Sequence, residues 1–191
     1  MPYGPLSQIL VVVGDAALFL TILVCAISDI KDGIIPNKIT YSVLILGLVL
    51  GLLNGGGSGF IQALFGAAIG FALLFFFYLW GGFGGGDVKL MAAIGALKGY
   101  PFVIYAAFYS AIIGGIYSLA VVIWRGKLRN TMMNIGMYFV SLFRPNSALA
   151  SKLDPASSVA IPFGFCICIG TLWAVLEGVI GRSAWQLLMR F

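Results

Sequence analysis

From Ile39 to Trp80 the sequence reads ITYSVLILGLVLGLL NGGGSG FIQALFGAAIGFALLFFFYLW, two apolar runs (Ile39 to Leu53 and Phe60 to Trp80) flanking Asn54-Gly-Gly-Gly-Ser-Gly59, without one charged residue. A membrane hydrocarbon core of roughly 30 Å takes about 20 helical residues to cross, and a cluster of Gly, Asn and Ser is turn composition. The stretch predicts a helical hairpin in a bilayer. The whole 191-residue chain agrees, being 61% hydrophobic and 9% charged with a mean hydropathy of +1.08, whereas a soluble domain carries about 25% charged residues. So few polar side chains cannot coat a water-facing surface.

Working outward, Leu6 to Ile27 is another apolar run, too long for a removable signal peptide and without a small-residue cleavage site. Asp87 to Trp124 is too long for one helix, and Lys98-Gly-Tyr-Pro101 breaks it in two. Val159 to Ile180 supplies the last run. The expectation is an all-α polytopic membrane protein, a bundle of six transmembrane helices forming a single domain over residues 1–191. Residues 125–158 form the one long connection. Asn130, Asn134, Tyr138 and Ser141 draw a polar stripe there, predicting an interfacial helix against lipid headgroups beside the basic residues Arg125, Lys127 and Arg129. Eight Lys and Arg residues (Lys31, Lys38, Lys89, Arg125, Lys127, Arg129, Arg144, Lys152) fall on one side of the six runs and three (Lys98, Arg182, Arg190) on the other. The basic side is the cytoplasmic one, and both termini lie outside the cytoplasm.

With no histidine in the chain, Ser-His-Asp and Cys-His catalysis and most zinc hydrolase sites are excluded. Cys25, Cys166 and Cys168 lie in apolar runs as packing residues, so no metal is expected. The net charge of +5 comes from basic residues scattered between apolar segments, a pattern that orients a membrane protein rather than one that binds nucleic acid. Acid–base work is left to carboxylates. Asp15 lies about 21 Å along a helix from Asp29 and reads as a polar contact within the bundle. Asp32 and Lys31 read as a solvated turn, and Asp154 and Glu177 as loop and helix-end residues.

Asp29 and Asp87 stand apart. Asp29 closes the first run and is followed by Ile-Lys-Asp-Gly-Ile-Ile-Pro-Asn37, while Asp87 opens the fourth directly after Gly81-Gly-Phe-Gly-Gly-Gly86. Glycines let a backbone turn sharply and approach closely. Residues 87–96 cover only about 15 Å of helix, so Asp87 starts below the membrane surface unless the bilayer thins. Two carboxyls sharing one proton can hydrolyse a peptide bond, the ionised one deprotonating water while the protonated one polarises the carbonyl. As structural residues, the same two would merely end one helix and begin another.

Asp29 with Ile35-Pro36-Asn37, Gly84-Gly85-Gly86-Asp87 continuing Val-Lys-Leu-Met-Ala-Ala-Ile-Gly95, and Ile161-Pro-Phe-Gly164 together resemble the type IV prepilin peptidases, which are GxGD-type intramembrane aspartic proteases. The resemblance covers roughly Leu6 to Ile180. It implies catalytic Asp29 and Asp87, no cofactor, and a prepilin or prepilin-like substrate whose leader is cut at the cytoplasmic face of the bacterial inner membrane. Gly84, Gly86, Lys89, Pro36, Asn37, Pro162 and Gly164 are expected to bind substrate or shape the site. Lys89 would either bias a neighbouring aspartate or snorkel to the interface, and Pro162 and Gly164 would break a helix start and bare its backbone. Longer family members carry a soluble insertion with paired C-x-x-C motifs tied to N-methylation. Here only residues 28–38 separate the first two runs and no C-x-x-C occurs, so the chain resembles the peptidase-only form that serves tight-adherence pili. Two other readings stay open: a small ion- or proton-coupled transporter using intramembrane aspartates, and a non-catalytic component of a pilus machine. The oligomeric state is not legible.

Overall fold

The computed structural model describes residues 5–79, 82–126, 133 and 162–188. These residues form helices and turns with no strand: α1 (Pro5–Asp32), α2 (Asn37–Leu79), α3 (Gly85–Lys98), α4 (Tyr100–Trp124) and α5 (Phe163–Leu188). Three helices are long and apolar enough to cross a membrane, over Leu6–Asp32, Asn37–Leu79 and Tyr100–Trp124. The chain divides into two units, Met1–Gly114 with Pro162–Phe191, and Gly115–Ile161. In the second, the described residues carry α4 to Trp124 and a turn at Gly126, whose amide donates to the Ile123 carbonyl at 3.0 Å. Apart from residues 125, 126 and 133, the expected interfacial helix lies outside the described residues.

The hairpin foreseen around residues 54–59 forms within α2. Gly56 leaves the helical region at φ 59°, ψ −141°, a conformation that suits glycine. Beyond it the chain returns, for a Cβ on Gly59 would lie 2.1 Å from the Gly51 carbonyl oxygen. In an unbroken helix those residues would stand about 12 Å apart along the axis.

Against this hairpin packs α3, the most enclosed helix of the first unit. From Asp87 to Ala96 every residue except Lys89 is buried. Backbones touch directly. A Cβ on Gly95 would sit 2.1 Å from the Gly66 carbonyl oxygen, and one on Gly70 would sit 2.4 Å from that of Met91; Gly47 likewise faces the backbone of Ala96 at 2.7 Å. In lipid, where apolar burial gives helices little reason to associate, such close approach supplies the van der Waals contact that holds them. Val88, Leu90, Met91 and Ile94 complete the core with Leu18, Ile22 and Cys25 of α1, Leu74 of α2, Val103 of α4, and Ile167 and Cys168 of α5. At about 21 Å, α3 is shorter than the hydrocarbon core. It ends where the sequence placed a break: Gly99 adopts φ 82° and donates to the Gly95 carbonyl at 2.8 Å, and α4 starts at Tyr100.

Gly95→Val is expected to lower thermal stability in detergent by at least about 3 kcal/mol, since rigid backbone cannot yield to the added atoms. Gly115→Ala, at a glycine with open space around it, should be neutral or slightly stabilising. Equal melting temperatures for wild type and Gly95→Val would refute the close packing.

Candidate active site

α1 ends where Gly33, at φ 64°, donates its amide to the Asp29 carbonyl at 3.0 Å, a left-handed helix terminus of the kind glycine permits. Ser28 Oγ donates to the Ile34 carbonyl at 2.7 Å, and the chain reverses through Ile35 and Pro36. The Pro36 carbonyl then accepts the first α2 amides, from Ile39 and Thr40, at 3.1 and 3.3 Å. This turn leaves Asp29 buried, 7% exposed, with Oδ2 accepting the Phe165 amide at 2.9 Å. Phe165 lies in the first turn of α5, where amides lack helical partners and the helix dipole favours an anion.

Only glycine at 164 allows that reach. A Cβ there would lie 2.9 Å from Asp29 Oδ2 and 2.7 Å from Ile35 Cδ1. Pro162, just before α5, has no amide to leave unpaired. Where a broken start with bared backbone was expected at Pro162 and Gly164, the helix begins at Phe163 and its Phe165 amide is taken up by Asp29.

Asp87 lies in the first turn of α3 and is also 7% exposed. Its Oδ2 accepts the amide of Gly84, the extended residue (φ −78°, ψ 149°) that precedes the helix, at 3.0 Å. Each aspartate therefore commits one oxygen to a helix start, Asp29 to that of α5 and Asp87 to that of its own helix. Both line one cavity of about 310 Å³ with Gly33, Ile34, Ile35, Asn37, Gly84, Gly85, Gly86 and Lys89. Two carboxyls lining one small space are the groups that general acid–base hydrolysis calls for, one to accept a proton from water and the other to donate to a carbonyl oxygen.

Asn37 and Lys89 meet across the cavity wall. Lys89 Nζ donates to Asn37 Oδ1 at 2.9 Å and lies 5.2 Å from the Tyr41 ring centroid. Among the described residues no ion pair joins Lys89 to either aspartate, and Lys98–Asp15 is the ion pair present. Gly86 is constrained by protein, since a Cβ there would lie 3.0 Å from Ile35 Cβ. Among the described residues no three His, Cys, Asp or Glu side chains are grouped to hold a metal ion.

The model of the type IV leader peptidase family matches residues 16–119, just over half of the chain and a span that includes both aspartates. The chain belongs to this family. It is 29% identical over 144 residues to the "Prepilin peptidase EppA" of Methanocaldococcus jannaschii, covering 65% of this chain and 40% of that protein. It is 36% identical over 111 residues to the "Prepilin leader peptidase/N-methyltransferase" of Bacillus subtilis, covering 56% and 44%. The chain thus spans less than half the length of these curated relatives. No solved structure matches it.

The sequence offered Ile35 as part of a motif but gave it no role in the site. It is buried, 5% exposed, between Gly86 and Gly164, and an isoleucine inside a tight turn was the available signal. A tilted ring contact between Phe83 and Phe163, centroids 4.1 Å and planes 45° apart, joins the segments before α3 and at the start of α5. No spacing in the sequence marks that pair.

The Asp29–Phe165 contact makes a stability prediction independent of activity. Asp29→Asn keeps an acceptor oxygen and should melt near wild type, whereas Asp29→Leu removes it and should cost about 1–2 kcal/mol. Thermal unfolding in detergent separates them, and identical curves would mean that the hydrogen bond contributes nothing.

Proposed function

We propose that this member of the leader peptidase family is a membrane aspartic endopeptidase that removes the N-terminal leader from type IV prepilins or prepilin-like proteins, with Asp29 and Asp87 as its catalytic pair. The observation that carries the reading is the shared cavity, into which two buried aspartates turn from different helices. Water enters between the carboxyls. The ionised one takes its proton as the oxygen attacks the scissile carbonyl carbon, and the protonated one hydrogen-bonds the carbonyl oxygen as it gains charge. Collapse of the tetrahedral intermediate breaks the C–N bond, and the departing nitrogen takes a proton from the pair. Gly33 and the glycines at 84–86 leave room at the cavity for an extended substrate backbone. Lys89 and Asn37 form its polar rim.

The chain crosses the membrane six times in this reading: α1, the two arms of α2, α3, α4 and α5, acting as one domain. A reversal at Gly56 supports two crossings by α2. The eight-to-three distribution of basic residues turns the aspartate cavity toward the cytoplasm and sets the enzyme in the cytoplasmic membrane. No C-x-x-C occurs in the 191 residues, and the proposed cleavage chemistry needs none.

Purified protein with a synthetic prepilin in detergent tests the chemistry by mass measurement of the product N terminus. Asp29→Asn and Asp87→Asn should each lower the cleavage rate by roughly a hundredfold or more while remaining folded, and chelator should have no effect. Substantial cleavage by a folded single variant would overturn the pair. Cysteine labelling that finds Asn54 to Gly59 cytoplasmic would overturn the orientation.

A further inference from the structure

At the end of the first unit away from the aspartates lies a larger cavity, about 440 Å³, between α1, the bend of α2 and the junction of α3 with α4. Asp15, which shares it, stands about 21 Å along α1 from Asp29. Two backbone reversals meet there, around Gly55 to Gly59 and at Gly99. Lipid-exposed reversals are excluded from hydrocarbon because their backbone groups need water or protein partners. This end therefore lies at headgroup level.

The lining carries one full charge of each sign. Lys98 Nζ donates to Asp15 Oδ1, and the side chains are 25% and 43% exposed. The pair does not exhaust itself. Among the described residues Asp15 Oδ2 receives no donor, and Lys98, an ammonium with three donors, has no acceptor beyond Asp15, resting otherwise near the Phe102 ring. Asn54 and Gln62 add amides to the same wall, and Leu10 and Val11 line it from the N-terminal side of Asp15 in α1. Neither residue of the pair belongs to the aspartate cavity.

We propose that this cavity is a binding site for the zwitterionic headgroup of a phosphatidylethanolamine-type lipid. The primary ammonium donates to the free oxygen of Asp15, and the phosphodiester accepts from Lys98. Asn54 and Gln62 donate to the phosphate and glycerol oxygens. Laid antiparallel on the ion pair, the headgroup gives each charge a second counter-charge without adding net charge. An anionic phosphatidylglycerol would set its phosphate beside Asp15 with no ammonium to compensate. Phosphatidylcholine has no N–H to donate and is bulkier at nitrogen.

Native mass spectrometry of the delipidated full chain with equimolar phosphatidylethanolamine, phosphatidylcholine and phosphatidylglycerol of matched acyl chains provides the test. Phosphatidylethanolamine adducts should exceed each of the others by about fivefold, the scale of one partly exposed ion pair. The Asp15→Asn, Lys98→Met double variant should bind all three alike. Gly14→Leu, which fills the cavity from a position with only ordinary contact to Leu50, should lose the same preference with the ion pair intact, so the test does not depend on folding of the charge variant. Equal binding of the three lipids by wild type, or a preference that survives both substitutions, would overturn the site. Cleavage is not the readout, so the outcome is independent of the peptidase reading.

Discussion

Contact between the backbones of Gly66 and Gly95 is the constraint on which the rest of the first unit depends. A side chain at either residue would push α3 off the α2 hairpin, because the opposing atoms are carbonyls that cannot rotate away. With α3 seated there, its N-terminal turn has one place to be, and Asp87 comes with it. The small residues along α3 are thus part of how the site is built. They place a short, enclosed helix so that its first turn opens on the cavity containing Asp29.

Both aspartates are also structural acceptors. Each ties one oxygen to a backbone amide at a helix start, and this answers the objection that such residues merely end or begin helices. They do that and still face one cavity. In a low-dielectric interior an unpartnered carboxylate is costly, so an amide partner is what makes two buried aspartates tolerable in one small space. Gly164 and Gly84 have related tasks, the first clearing room for Asp29 and the second donating to Asp87.

Much of this was legible in the sequence. Run length and turn composition located the α2 hairpin and the α3–α4 break because lipid restricts backbone to a narrow set of forms. The position of Asp29 and Asp87 at helix ends, next to Gly33 and Gly86 segments that turn the chain, suggested the pairing, and the motif resemblance strengthened it. Illegible were contacts made by backbone or by apolar side chains across long sequence separations: the Phe165 amide on Asp29, Ile35 between two glycines, and Phe83 on Phe163. Such contacts carry no periodicity of their own. For Lys89 the sequence left two roles open, and the structure sets its ammonium on Asn37 and near Tyr41.

If the two aspartates act as the proposed pair, the single oxygen that each commits bears on inhibitor chemistry. Among the described residues Oδ2 of Asp29 and Oδ2 of Asp87 are the atoms held by amides, which leaves one Oδ1 from each for an incoming molecule. Under that reading a hydrated-ketone mimic would place one hydroxyl on each carboxyl. A compound that needs both oxygens of the same aspartate must first displace a helix start, and its affinity would be reduced by the cost of that displacement.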